Sequence, residues 1–211
     1  MIKDAIIESR KIFSKLYTYS IYRLSESFRL IFTILILGLI TSEFPLTPLQ
    51  IILLAFMNDV PILSLAYNRV KLENKVRKIK VKERFILSAL FGTVRVLNSV
   101  LLYFIAANIL HLNLELIQTM FFLKLTVSGH LLVFVAHTSE RWYRFLPSKE
   151  VIIATASTQL VATILALTGL FMSARLSWKL VLLVWVWALL WMQIGELMKM
   201  VHKKIISGKK I

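Results

Sequence analysis

Six long apolar runs, separated by short polar or basic segments, make up most of the chain. They cover about residues 24–40, 46–67, 85–107, 116–136, 151–172 and 178–201. Each is long enough to cross, as a helix, a hydrocarbon layer about 30 Å thick. The pattern predicts an all-α, polytopic membrane protein, a six-helix bundle forming one domain over 1–211, with no internal repeat or low-complexity linker. Ahead of the first run, Ile6, Ile7, Phe13 and Leu16 recur at helical spacing among Lys3, Arg10, Lys11 and Lys15, with no Gly or Pro between them. A helix that begins there and runs unbroken into the first span would have about 40 residues and measure about 60 Å. It would overshoot a bilayer about twofold, so its first half is predicted to stand out as a stalk.

Composition supports this reading. The 211 residues are 58% hydrophobic, with mean hydropathy +0.74. The formal charge of +15 raises the question of nucleic acid, but the basic residues lie between apolar runs and not along one face or arm. That placement fits orientation in a bilayer and contact with anionic lipid. Of the 26 Lys and Arg, twenty-one fall in the N-terminal segment, the segments after the second and fourth runs, and the C-terminal end. With six spans these lie on one side, and the positive-inside rule makes that side cytoplasmic, both termini included. The first residues lack the short apolar core and small-residue cleavage site of a signal peptide. Zero cysteines exclude disulfides and thiolate metal sites. There is no phosphate-cradling glycine loop, paired-histidine metal motif or nucleophile elbow, so no soluble-enzyme chemistry is expected from these residues.

The chemistry concentrates in Phe56-Met57-Asn58-Asp59-Val60-Pro61, in the middle of the second run. A carboxylate at membrane depth costs about 2.5–3.5 kcal/mol on insertion scales and is rarely kept there without a use. Pro61 lacks an N–H and crowds the carbonyl of Met57, so the helix is expected to be interrupted there. Ion sites of transporters are often built on such broken helices. Asp59 is therefore the candidate ion-binding carboxylate, lined by Asn58 and by backbone near Pro61.

Glu26, Arg29, Arg95, Lys124 and His130 also lie within spans. Arg23, Glu26 and Arg29 are three apart, which suits a local structural cluster on one helical face. Arg29, one turn deeper, suits either a structural or a site role. Arg95 is within snorkelling reach of the interface. A histidine such as His130 is read as a packing residue. Lys124 needs an acceptor or water, and Asp59 is a candidate partner.

Beyond these features, the order Ser9-Arg10-Lys11-Ile12-Phe13, Tyr22, Arg29 resembles the entry into the fifth membrane helix of plasma-membrane-type proton-pumping P-type ATPases. Asn58-Asp59 resembles the Asn-Asp pair of their sixth helix, and Arg69-Val70-Lys71 the loop after it. Leu131-Leu132-Val133-Phe134-Val135 and Gln159-Leu160-Val161-Ala162-Thr163 are similar to the eighth and ninth helices, and Ile206-Ser207-Gly208-Lys209 to the end of the tenth. The resemblance covers nearly the whole chain in order. It implies the C-terminal, six-helix part of the transport domain, with Asp59 as proton acceptor and donor and Arg29 as its positive partner. It also implies a stalk that couples to a phosphorylation domain.

The chain departs from that pattern in several places. Val60-Pro61 replaces Gly-Thr, Glu26 has no acidic counterpart, and Lys124 and His130 stand in place of glutamines. These residues hold no Asp-Lys-Thr-Gly-Thr phosphorylation motif, so ATP and Mg²⁺ would bind domains outside them. The expected partners are a lipid bilayer, a proton or other cation, and the rest of the pump, with no nucleic acid. The alternatives are a non-catalytic membrane subunit, or a fragment, whose buried charges are structural.

Overall fold

The structure, a computed structural model, describes residues 2–70, 81–138 and 140–208, with the side chains of 81–84 and 205–208 left aside. Most of the expected basic loop of 68–84, and the basic end at Lys209 and Lys210, lie outside the described residues. Among the described residues there are six long helices and no strand: α1 (Ile2–Thr41), α2 (Pro48–Ser64), α3 (Val81–Phe104), α4 (Leu114–Ala136), α5 (Lys149–Thr168) and α6 (Trp178–Gly208). All six are long and apolar enough to cross a membrane.

Local sequence explains where the helices begin and end. The predicted continuity of stalk and first span holds, because α1 is one helix of 40 residues. It stops where Ser42 takes a positive φ of 56°. Thr47 caps α2 through a reciprocal box with Gln50, and Pro48, with no N–H to leave orphaned, occupies the first turn. Asn113 caps α4 by accepting from Leu116 N. α3 widens into a π-helical turn over Ile105–Ile109. The fifth run was expected to stay helical to Met172. It stops at Thr168, because Gly169 adopts a left-handed φ of 79°. The last helix runs past the expected end at residue 201, to Gly208.

Pro61 does not break α2. The helix continues through it to Ser64 and tightens into a 3-10 turn at Leu65–Tyr67. The carbonyl that Pro61 leaves without its i+4 donor, Met57 O, instead accepts from His130 Nε2 at 3.1 Å. A side chain from a neighbouring helix thus replaces the missing backbone bond, which is how membrane helices keep a proline without unwinding.

α4 is the hub. It packs against α1, α2, α5 and α6, while α3 lies against α1 and α6, and α2 against α5. Most of its residues from Ile117 to Ala136 are buried. Two apolar clusters run along it: one around Leu54, Leu102, Phe121 and Val184, the other around Ile21, Tyr22, Phe91 and Val133. At the α1·α3 crossing the backbone of Gly92 lies against the ring of Phe28, so close that a β-carbon there would sit 2.5 Å from Phe28 Cδ1. Small residues allow this approach between membrane helices.

Candidate functional site

The polar interior is built around Glu26, with Asp59 apart from it. Glu26 lies on α1 and is 6% exposed. Its Oε2 accepts from Arg29 Nη2 and its Oε1 from Arg95 Nη1 on α3. Arg29 is fully buried and also donates through Nη1 to Leu125 O at 2.8 Å and to Ser128 Oγ at 3.0 Å, both on α4. Space for this cluster comes from Gly129. A methyl group there would lie 3.3 Å from Glu26 Oε2 and 3.4 Å from both Arg29 Nη2 and Asn58 Oδ1. Asn58 is therefore turned inward toward the cluster, buried, with its Oδ1 unpartnered. The i, i+3 spacing of Glu26 and Arg29 was the visible signal. Arg95 was visible as a charge within the third span, but it turns inward to Glu26 where snorkelling was expected, and Ser128 and Gly129 of α4 gave no signal.

Asp59 faces elsewhere. Successive helical residues point about 100° apart, so an inward Asn58 turns its neighbour outward. Asp59 is exposed on this chain, and its Oδ1 lies 3.6 Å from Arg23 Nη1, a pair about half open on both sides. The expected partnership of Asp59 with Arg29 is not formed, because Arg29 is six residues from Arg23 and on another face. Nor does Arg23 join the Arg–Glu–Arg cluster expected on α1; Arg95 takes its place. Around Asp59 the same face of α2 exposes Ile52, Phe56, Val60 and Leu63.

Lys124 is fully buried on α4 and donates to Ser99 Oγ on α3, its ammonium 6.0 Å from the Phe121 ring centre. Asp59 is not its partner. His130 is a satisfied packing residue, as its sequence context predicted. Beyond Met57 O it meets the Thr158 hydroxyl through Nδ1 at 3.2 Å.

One end of the bundle is fastened by two further groups that the sequence reading left unassigned. Lys199 of α6 donates to Val135 O, Thr138 O and Glu140 O at 2.9, 3.3 and 2.7 Å, with Glu196 Oε2 at 2.8 Å. A cation there satisfies one carbonyl in the last turn of α4 and two in the loop after it. On the same loop His137 Nε2 donates to Phe145 O at 2.6 Å, and the two rings stack. Burial pushes the His137 imidazole down to about 4. The nearby Lys199 acts in the same sense, and the bond to Phe145 O opposes it. Lys15 of the stalk donates to Ala66 O, at the end of α2, at 2.6 Å.

Residues 43–201 match the family described as cation transporting ATPase, C-terminus. Over 205 residues, 97% of its length, the chain is 37% identical to a Methanocaldococcus jannaschii protein named as a cation-transporting ATPase, of which it covers 25%. Over 238 aligned residues it is 24% identical to a Dictyostelium discoideum protein named as a plasma membrane ATPase, covering 99% of this chain and 22% of that one. The chain spans about a quarter of the length of these relatives.

Proposed function

The chain belongs to the cation-transporting P-type ATPases, as part of their C-terminal membrane region, and from that premise we propose that it carries the ion-binding carboxylate of a proton-exporting pump, at Asp59. One observation carries this reading: on α2, a helix apolar and long enough to cross a membrane, Asp59 is exposed among apolar side chains and, among the described residues, forms a half-open pair with Arg23. Against lipid such a group is costly. Covered by the rest of the pump, it has a use. A proton can replace the Arg23 guanidinium as its partner, and a small movement of α1 past α2 decides which of them it keeps. Asn58 and Pro61 lie behind Asp59 on the buried side of α2, with Asn58 turned to the Glu26 cluster.

The positive partner passes from Arg29 to Arg23. Arg29 is fixed by Glu26, Leu125 O and Ser128 and cannot leave without stranding a buried charge. Glu26 and Arg29 are then the rigid floor against which Asp59 works. ATP and Mg²⁺ bind outside these residues, and α1 carries the resulting movement inward through its stalk. Both termini lie in the cytoplasm and the pump in the cell membrane, in keeping with the basic segments.

The test is ATP-driven proton uptake by the assembled pump in vesicles. Asp59→Asn abolishes uptake while the protein still inserts in normal amount. Undiminished uptake would remove Asp59 from the site. Arg23→Gln keeps proton binding but slows turnover, because the group that displaces the proton is gone. A second reading, a static polar knot, is favoured for Glu26, Arg29 and Arg95 by their mutual bonding. It predicts that their replacement lowers the yield of folded protein rather than the ion dependence of transport.

A further inference from the structure

Between α3, α4 and α6 lies a cavity of about 30 Å³, lined on its polar side by Arg95, Asn98 and Ser128 and elsewhere by groups such as Phe91, Trp191 and Gly195. We propose that this cavity is a binding site for a small monovalent anion of halide size. The proposal is independent of the transport reading of Asp59.

The polarity of the wall carries it. The indole Nε1 of Trp187 can only donate, and it donates to Asn98 Oδ1 at 2.8 Å. The amide is thereby fixed, and its NH₂ remains for the cavity. Ser128 Oγ accepts from Arg29 Nη1 at 3.0 Å, which engages one lone pair and leaves its O–H and a second lone pair. Arg95 has no acceptor at all, and its Nη2 is buried without a partner. Arg95 and the Asn98 amide thus have only hydrogen left to offer, and Ser128 has its O–H beside one remaining lone pair, so donors predominate among the polar groups of the wall. That wall suits an anion and repels a cation.

Charge points the same way. Glu26 is the one carboxylate in the cluster and is shared between two guanidiniums, so the Glu26–Arg29–Arg95 group is one positive charge in excess. Such an excess at membrane depth is costly unless it is compensated. The volume admits one or two water-sized bodies and is too small for a phosphate group. Gly195 of α6 lines the cavity, and nothing lies within 4 Å of where its β-carbon would stand.

The test uses the assembled pump in detergent, melted in sodium bromide, sodium chloride or sodium gluconate at equal ionic strength. Bromide and chloride raise Tm saturably, by roughly 1 °C at ten times Kd for a protein about four times this chain's length, and gluconate does not. Asn98→Asp keeps the shape and the Trp187 bond but turns a donor into a carboxylate. It removes the halide response while still folding in gluconate. Arg95→Gln should remove it too, but that variant also loses a Glu26 contact, so Asn98→Asp is the deciding one. Equal melting in all three salts, or a halide response that survives in Asn98→Asp, overturns the proposal and leaves the cavity to water.

Discussion

At the scale of single residues, the folded state depends on how Pro61 is accommodated. His130→Leu should cost about 1–3 kcal/mol by leaving Met57 O buried without a donor. Pro61→Ala restores a backbone N–H to that carbonyl, so in the double variant most of the cost should disappear. A melting series of the two single variants and the double checks this, and strictly additive losses would contradict the His130–Met57 linkage. Gly129→Ala sets a methyl group 3.3–3.4 Å from three polar atoms of the cluster. Overpacking of this kind costs about 1–3 kcal/mol, seen as a lower Tm. Asn58 and Glu26 were visible in the sequence as polar residues at membrane depth. That they meet across Gly129 was not, since three helices far apart in the chain must come together to place them. The acid that stood out most, Asp59, proved to be the outward one, because hydropathy alone does not say which side of a helix faces the bundle.

At the scale of elements, lengths and ends were mostly legible and contacts were not. The unbroken α1 followed from helical spacing without Gly or Pro. The proline motif pointed to a broken α2, because a sequence shows the donor that Pro61 removes but not the imidazole that replaces it. The α4–α5 connection gives a pH prediction. His137 is held neutral by burial, well below the ordinary histidine value near 6.5, so the unfolded loop takes up a proton more readily than the folded one. Its contribution to stability is complete above about pH 6.5 and is lost as the pH falls toward 4. Protection of the amides of residues 140–146, relative to their intrinsic exchange rates at each pH, should therefore fall over that interval in the wild type. His137→Gln, with no proton to gain, should flatten the profile; an identical acid response in both would reject this. At the α1·α3 crossing, Gly92→Leu should force the two helices apart and lower the folded yield, because Phe28 already fills the space.

At the scale of the whole molecule, six long apolar helices were plain from the sequence, and their arrangement around one central helix was not. Orientation can be tested cleanly because the chain has no cysteine of its own. Ser9→Cys and Arg175→Cys should react with a membrane-impermeant maleimide from opposite sides of sealed vesicles, and labelling from the same side would contradict six spans. The face bearing Asp59 and the cluster bearing Glu26 form two separate polar features, one open on this chain and one closed. Their ionised groups differ in access: Asp59 is exposed, whereas Glu26 and Arg29 are buried.

The burial of α4 on nearly every side has a consequence for biogenesis. This helix leaves the ribosome before α5 and α6 exist, yet it carries Lys124, Ser128 and His130, and an unsheltered lysine at mid-bilayer costs about 2.5–3.5 kcal/mol on insertion. Its residence in the membrane at that stage rests on α1, α2 and α3, which already supply Arg29, Met57 O and Ser99. The first half of the chain thus acts as a cradle for the fourth helix during synthesis. Damage to Glu26 or Ser99 should then appear first as nascent chains lost to quality control, before any effect on transport can be measured.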